Sequence, residues 1–139
     1  MTTDRESIGT AFLEVVEKLT FMFGEELPRE DLPPPEGGYS VARMSFSGEA
    51  NGSLALIVPE DLVPEIAGNI LGLDPDDVES PEMMRDAVRE LLNVACGHVV
   101  MELVGEGADF ALAAPVYETV DAAGYVAYRD DPDSFAFLL

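Results

Sequence analysis

The stretch Asp86-Ala-Val-Arg-Glu90-Leu-Leu-Asn93-Val-Ala-Cys-Gly97 decides how this chain is read. On a helix that advances about 100° per residue, Asp86, Glu90, Asn93 and Gly97 fall on one narrow stripe, at roughly 320°, 0°, 300° and 340° when Glu90 is set to zero. Met84, Val88, Leu91, Leu92, Ala95 and Val99 occupy an arc from about 100° to 200°, nearly opposite. An apolar face and a polar back are ordinary for a surface helix. This back is less ordinary: it carries a carboxylate and a carboxamide three residues apart, then a glycine one turn later that lets another surface approach. Met83, Val94 and Met101 flank the stripe at about 20–40°, so the polar face has an apolar border suited to docking. An asparagine in mid-helix also costs several tenths of a kcal/mol relative to alanine, roughly, which is easier to understand if its amide has a task.

The rest of the chain bounds what such a helix can serve. At 139 residues the sequence is expected to form a single domain, 1–139, with a real core. A hydrophobic content of 47% is incompatible with wholesale disorder. A net charge of −21 and one lysine, Lys18, argue against binding nucleic acid or an anionic membrane, both of which need clustered Lys and Arg. Adaptation to a generally acidic proteome accounts for much of the charge, which favours basic patches on partners and does not bear on fold. The lone cysteine, Cys96, cannot make an internal disulfide and suits a reducing, cytoplasmic compartment. The N-terminal residues show no signal-peptide pattern, and the longest uncharged run, Leu91 to Met101, is too short to span a bilayer.

Outward from the central helix, the pattern predicts an α+β domain. Ser80-Pro81 is an N-cap followed by proline at the first helical position, and the helix should run to about Leu103, before Gly105 and Gly107, with a fray or bend where Glu102 enters the apolar arc. Residues 7–26 read as a first helix, capped by Ser7, with Phe12, Val15, Val16, Leu19, Met22 and Phe23 at helical spacing. Tyr39–Phe46 and Ser53–Val58 alternate as a hairpin across Gly48–Gly52. A shorter helix should run from about Asp61 to Leu71 and stop at Gly72. Phe110–Tyr117 reads as a strand broken at Pro115, and Tyr125–Tyr128 with Ser134–Leu138 as a short hairpin. The order αββααβββ implies helices packed on a mainly antiparallel sheet.

Few residues could carry chemistry unaided. The sequence has no phosphate-binding glycine loop, no Gly-x-Ser-x-Gly elbow and no His/Cys metal spacing, so no metal site is expected. His98, at roughly 80° on the wheel, reads as a structural or surface histidine, and Cys96 as a small buried hydrophobe. The acid pairs Glu25-Glu26 and Asp76-Asp77 read as solvated charge, with a weak cation site as the alternative. What remains is the Glu90/Asn93 stripe, either the wet side of a core helix or a docking surface.

At this point the residues reach a resemblance. Asp-x3-Glu-x2-Asn, with a glycine after it and a proline beyond, is similar to the signature of the CheX/CheC/FliY chemotaxis phosphatases, and the stretch 86–97 resembles their catalytic helix throughout. Pro115 lies 22 positions after Asn93, one fewer than the spacing associated with that family. The hairpin from Met44 to Val58 resembles the family's strand pair, so the likeness extends over about residues 10 to 120, with a C-terminal part that is short against the family's last strands. CheC-like members carry two copies of Glu-x2-Asn and CheX-like members one. Here Glu65 and Asn69 are four apart, and Glu14 and Glu17 lack an asparagine partner, so the resemblance is CheX-like and implies a homodimer.

The resemblance implies a CheX-like phosphatase that hydrolyses the aspartyl phosphate of a phosphorylated CheY-type receiver domain. The chain would bring no cofactor of its own, since the partner supplies the Mg²⁺ and the phosphorylated aspartate. Phosphoryl transfer depends mainly on positioning and charge neutralisation, so a helix without nucleophile, base or metal can catalyse it in trans. In this scheme Asn93 and Glu90 are the catalytic residues: Asn93 hydrogen-bonds the attacking water, and Glu90 pairs with a lysine of the partner. Asp86, Glu90 and Gly97 form the partner-binding set. The competing expectations are a receiver-binding module of the same fold without catalysis, and a structural dimer whose stripe is only solvated.

Overall fold

The computed structural model describes residues 5–105 and 107–139. Its architecture is α+β: helices packed on an antiparallel sheet built around one long strand. That strand, β2 (Tyr39–Gly48), pairs along its length with β3 (Gly52–Pro59), from Tyr39 opposite Pro59 to Phe46 opposite Gly52. The connection is closed by the Asn51 carboxamide oxygen, which accepts from the Gly48 N–H at 3.3 Å. The other edge of β2 is shared by two short strands, β4 (Phe110–Leu112) and β5 (Val116–Val120).

The helix at 86–97 is α3 (Pro81–Val104), and it starts as its sequence requires. The Ser80 hydroxyl accepts from the N–H groups of Glu82 and Met83, which have no partner inside the first turn. Val88, Leu91, Leu92, Ala95, Cys96 and Val100 sink into the core, all of them at most 2% exposed. They meet Val15 and Val16 of α1 (Arg5–Thr20), Ile66 of α2 (Val63–Leu71), and Ala42, Met44 and Phe46 of β2. Glu102 is exposed and the helix runs past it without a break to Val104, so the expected fray is absent. Gly72 takes the left-handed conformation (φ 73°) that ends α2, as a glycine at that position can without strain.

The structure departs from the sequence reading at both ends of the described chain. The first helix includes Ser7 within it and stops at Thr20, six residues before the expected end. Phe21 turns to φ 57°, and the Thr20 hydroxyl, buried and donating to the Val16 carbonyl, accepts from the Met22 N–H, so the chain leaves the helix there. Residues 25–27 instead form β1 (Glu25–Leu27), an element the sequence reading lacks. Its partner is β6 (Ala136–Leu138) near the C-terminus, in register Leu27 to Ala136. The expected C-terminal hairpin is therefore absent. Its first half, 125–128, lies in α4 (Ala122–Arg129), begun by Asp121, whose carboxylate accepts from the Gly124 N–H at 2.9 Å. Tyr125 of α4 stacks on Tyr39 of β2, ring centroids 4.1 Å apart, and covers part of the sheet face opposite α3. Arg29 donates to the carbonyls of Arg129 and Asp131, which ties the segment after β1 to the end of α4.

Cys96 is fully buried in the core, and this burial pushes its thiol up to about 11 from the usual 9.0, because a thiolate there would lose its hydration. The folded state thus holds the proton more tightly than the unfolded state. The stability linked to this site is fully present below pH 9 and is lost as the pH rises towards about 11, a change worth roughly 2–3 kcal/mol at most. Iodoacetamide at neutral pH should leave the native thiol unlabelled and modify it only on unfolding. Alkaline melts should show this loss, and Cys96→Ala should reduce it.

Candidate functional site

The apolar arc of α3 is covered by α1, α2 and β2, so the opposite face is left outward, with Asp86, Glu90 and Asn93 all exposed. Along the helix Asp86 and Glu90 are four apart, Glu90 and Asn93 three, and Asp86 and Arg89 three, so the side chains form one connected patch. Arg89 Nη2 donates to Asp86 Oδ1 at 2.7 Å. A groove of about 310 Å³ opens over this patch, lined by Asp86, Arg89, Glu90, Asn93 and Pro115.

Pro115 comes from another part of the chain, and its presence has a geometric cause. Phe46 of β2 faces Leu112, and Arg43 faces Val116. Between those pairs Met44 and Ser45 oppose three residues, Ala113, Ala114 and Pro115. One extra residue in one strand is a β-bulge, which bends the edge and re-aims its side chains. Proline, with no N–H to offer the ladder, is tolerated at such a position. Ala113 keeps its bond to the Ser45 carbonyl at 2.9 Å, so the edge stays attached to the sheet on entering the bulge. The sequence break at Pro115 is thus an interruption within one edge, and it brings the proline beside Asn93.

Gly97 lies outside the groove. A methyl group built there would meet only Leu112 Cδ1, at 4.0 Å, so nothing in the chain's own packing demands glycine. Two groove residues have no assigned role in the sequence reading. Arg89 was legible from its spacing to Asp86 and Asn93. Pro115 was noted for its spacing and as a strand break, but not as a neighbour of Asn93, since the bulge depends on strand register.

The remaining candidates lie outside the groove. Cys96 is buried and protonated at neutral pH, which excludes a ready thiolate. His98 is exposed on α3 outside the groove, and Glu25, Glu26, Asp76 and Asp77 are exposed. Among the described residues, no group of three or more His, Cys, Asp or Glu side chains could hold a metal ion, and no helix is long and apolar enough to cross a membrane. A second recess of about 420 Å³, lined by Phe21, Gly68, Asn69, Gly72, Leu73, Asp74 and Asp77, offers two carboxylates without a nucleophile or a cation.

Comparison with known proteins follows the same lines. None of the curated proteins matches this chain in sequence. CheX from Vibrio vulnificus has a similar fold, with a TM-score of 0.65 at 23% identity, over 84% of this chain and 74% of that one. CheX from Desulfovibrio desulfuricans gives 0.61 at 20% identity, over 84% and 77%. A structure of a CheX–CheY–BeF3–Mg²⁺ complex from Borrelia burgdorferi gives 0.58 at 17% identity, over 83% and 76%. Residues 40–137 match the family described as chemotaxis phosphatase CheX, a span that starts at β2 and takes in the C-terminal elements beyond residue 120. On that match, with α3, its groove and the sheet beneath them all inside it, the chain belongs to the CheX family of chemotaxis phosphatases.

Proposed function

We propose that the chain hydrolyses the aspartyl phosphate of a CheY-type response regulator by presenting Glu90 and Asn93 to the partner's active site. The observation that carries this reading is the groove itself, where an exposed carboxylate, carboxamide and guanidinium on one rigid helix meet Pro115 from a bulged strand edge. The Borrelia burgdorferi structure, a CheX bound to CheY with BeF3 and Mg²⁺, supports the choice of partner. In the proposed step the Asn93 carboxamide orients a water in line with the phosphorus. The water oxygen bonds phosphorus as the bond to the aspartyl oxygen breaks, and the electron pair leaves on that carboxylate. Glu90 anchors the helix by pairing with a receiver lysine, while the receiver provides Mg²⁺, so this chain brings no cofactor. Asp86 and Gly97 complete the partner-binding set, Gly97 by letting the receiver approach the helix closely. The buried lone thiol fits a cytoplasmic setting for this encounter.

Asn93 in this role acts in the transition state and contributes little to docking. Asn93→Ala should fold normally, bind the phosphorylated receiver, and lose about 10²–10³-fold in stimulated phosphate release, the usual cost of one preorganised hydrogen bond. Wild-type turnover by this variant would refute the assignment. Retained receiver binding by a wild-type chain that releases no phosphate would identify a binding module without catalysis.

Glu90 should behave differently, because its contact forms on docking. Removing one member of a desolvated charge pair typically costs about 2–5 kcal/mol. Glu90→Ala should therefore weaken binding to the phosphorylated receiver by well over tenfold, roughly, with the thermal melt unchanged since the residue is exposed. Unchanged affinity in titration calorimetry would make Glu90 part of the solvated face only.

We also propose a homodimer. The outer edge of β3, and the bulged edge formed by β4 and β5, pair with no further strand among the described residues, and such edges are available for pairing. Light scattering at micromolar concentration should give about twice the 15.0 kDa chain mass. A monomer at that concentration would refute the dimer and leave the catalytic assignment standing.

A further inference from the structure

Among the described residues, Arg89 is the only cation lining the groove, in a chain whose net charge is −21. Without it the groove would present two carboxylates one turn apart, Asp86 and Glu90, to a partner whose reacting group is itself anionic. Like charges at that spacing repel each other, and a negative field repels a phosphoryl group. Arg89 sits three residues after Asp86 and four before Asn93, so it neighbours both. Other arginines are engaged elsewhere: Arg29 with the carbonyls of Arg129 and Asp131, Arg43 with Glu118, and Arg129 with Asp130.

The pair with Asp86 uses one arm of the guanidinium, Nη2, at 2.7 Å. The side chains are 36% and 63% exposed, so the pair itself adds little to stability. It occupies one arm of a planar fork that lines the groove, beside the guanidinium's other N–H donors. Phosphoryl transfer spreads charge over three equatorial oxygens, and a guanidinium placed there is among the strongest catalytic devices known for it.

We infer that Arg89 is a catalytic residue that donates to the phosphoryl oxygens in the transition state. The inference rests on the receiver-docking reading of the groove and assigns that site its source of positive charge. The bonds made and broken are those of the hydrolysis above. As water attacks phosphorus and the aspartyl oxygen leaves with its electron pair, Arg89 neutralises the equatorial oxygens, and the water's protons pass to inorganic phosphate and solvent.

The test measures phosphate release from a phosphorylated receiver domain of the same organism across receiver concentrations, for the full chain and four variants. Arg89→Ala and Arg89→Met should each lower kcat by about 10²–10³-fold with KM little changed, the methionine keeping the aliphatic stem. Arg89→Lys, which keeps the charge but not the fork, should recover part of the loss. Arg85→Ala removes the same unit of charge from an exposed position on α3 outside the groove and should match the wild type. The inference is overturned if Arg89→Met keeps the wild-type kcat, if Arg85→Ala loses as much, or if the loss lies wholly in KM. A wild-type chain that leaves the receiver's phosphate loss unaccelerated overturns the proposed function itself, and Arg89's role with it.

Discussion

The burial of one face of α3 is the constraint on which the rest of this structure depends. Val88, Leu91, Leu92, Ala95, Cys96 and Val100 are removed from water between α1, α2 and β2, and each contributes apolar area that no other element replaces. A helix fixed along one side cannot rotate. The side chains at the complementary angles are therefore kept at the surface by the helix's own placement, with the Arg89–Asp86 pair as a contact among them. Rigidity at the site is borrowed from the core.

The second determinant is the interrupted edge of the sheet. A single extra residue between the Phe46–Leu112 and Arg43–Val116 pairs lets one edge of β2 carry two short strands, with Pro115 where they meet. An unbroken edge strand would keep its side chains alternating across the sheet plane. The bulge breaks that alternation, so a residue from the edge borders a groove on a helix, next to Asn93. Proline suits the place because it has no N–H to leave unpaired and little freedom to lose on ordering.

The groove gathers groups that position and neutralise, and leaves out groups that attack. Among the described residues its lining offers one carboxamide, two carboxylates and one guanidinium but no hydroxyl, thiol or imidazole, and the chain's single thiol is sealed in the core with its proton held. That inventory fits chemistry completed by a second protein, in which the electrophile arrives on the partner. The high negative charge bears on the same point. A surface of this sign favours basic regions on a partner, while Arg89 places a positive charge in the lining of the groove.

Local pattern was enough for the central helix. Ser80-Pro81 marks its start, the apolar arc marks its buried side, and the exposure of Glu90 and Asn93 follows from the angle between them and that arc. The hairpin of β2 and β3, and the stop of α2 at Gly72, are likewise local: alternation and a left-handed glycine suffice. Long-range pairing was not legible. Glu25–Leu27 has the look of a helix end until Ala136–Leu138 is beside it, and Tyr125–Tyr128 alternates like a strand until Asp121 caps a helix and Tyr39 receives the ring of Tyr125. The groove divides in the same way. The sequence by itself determined that Asp86, Glu90 and Asn93 share one stripe, because neighbours on a helix are fixed by its pitch, but it grouped Gly97 with them and left Arg89 out. Only the tertiary structure decided that Pro115 joins them, because register between strands far apart in the chain is settled by which pairing buries the shared core, and no local spacing encodes that.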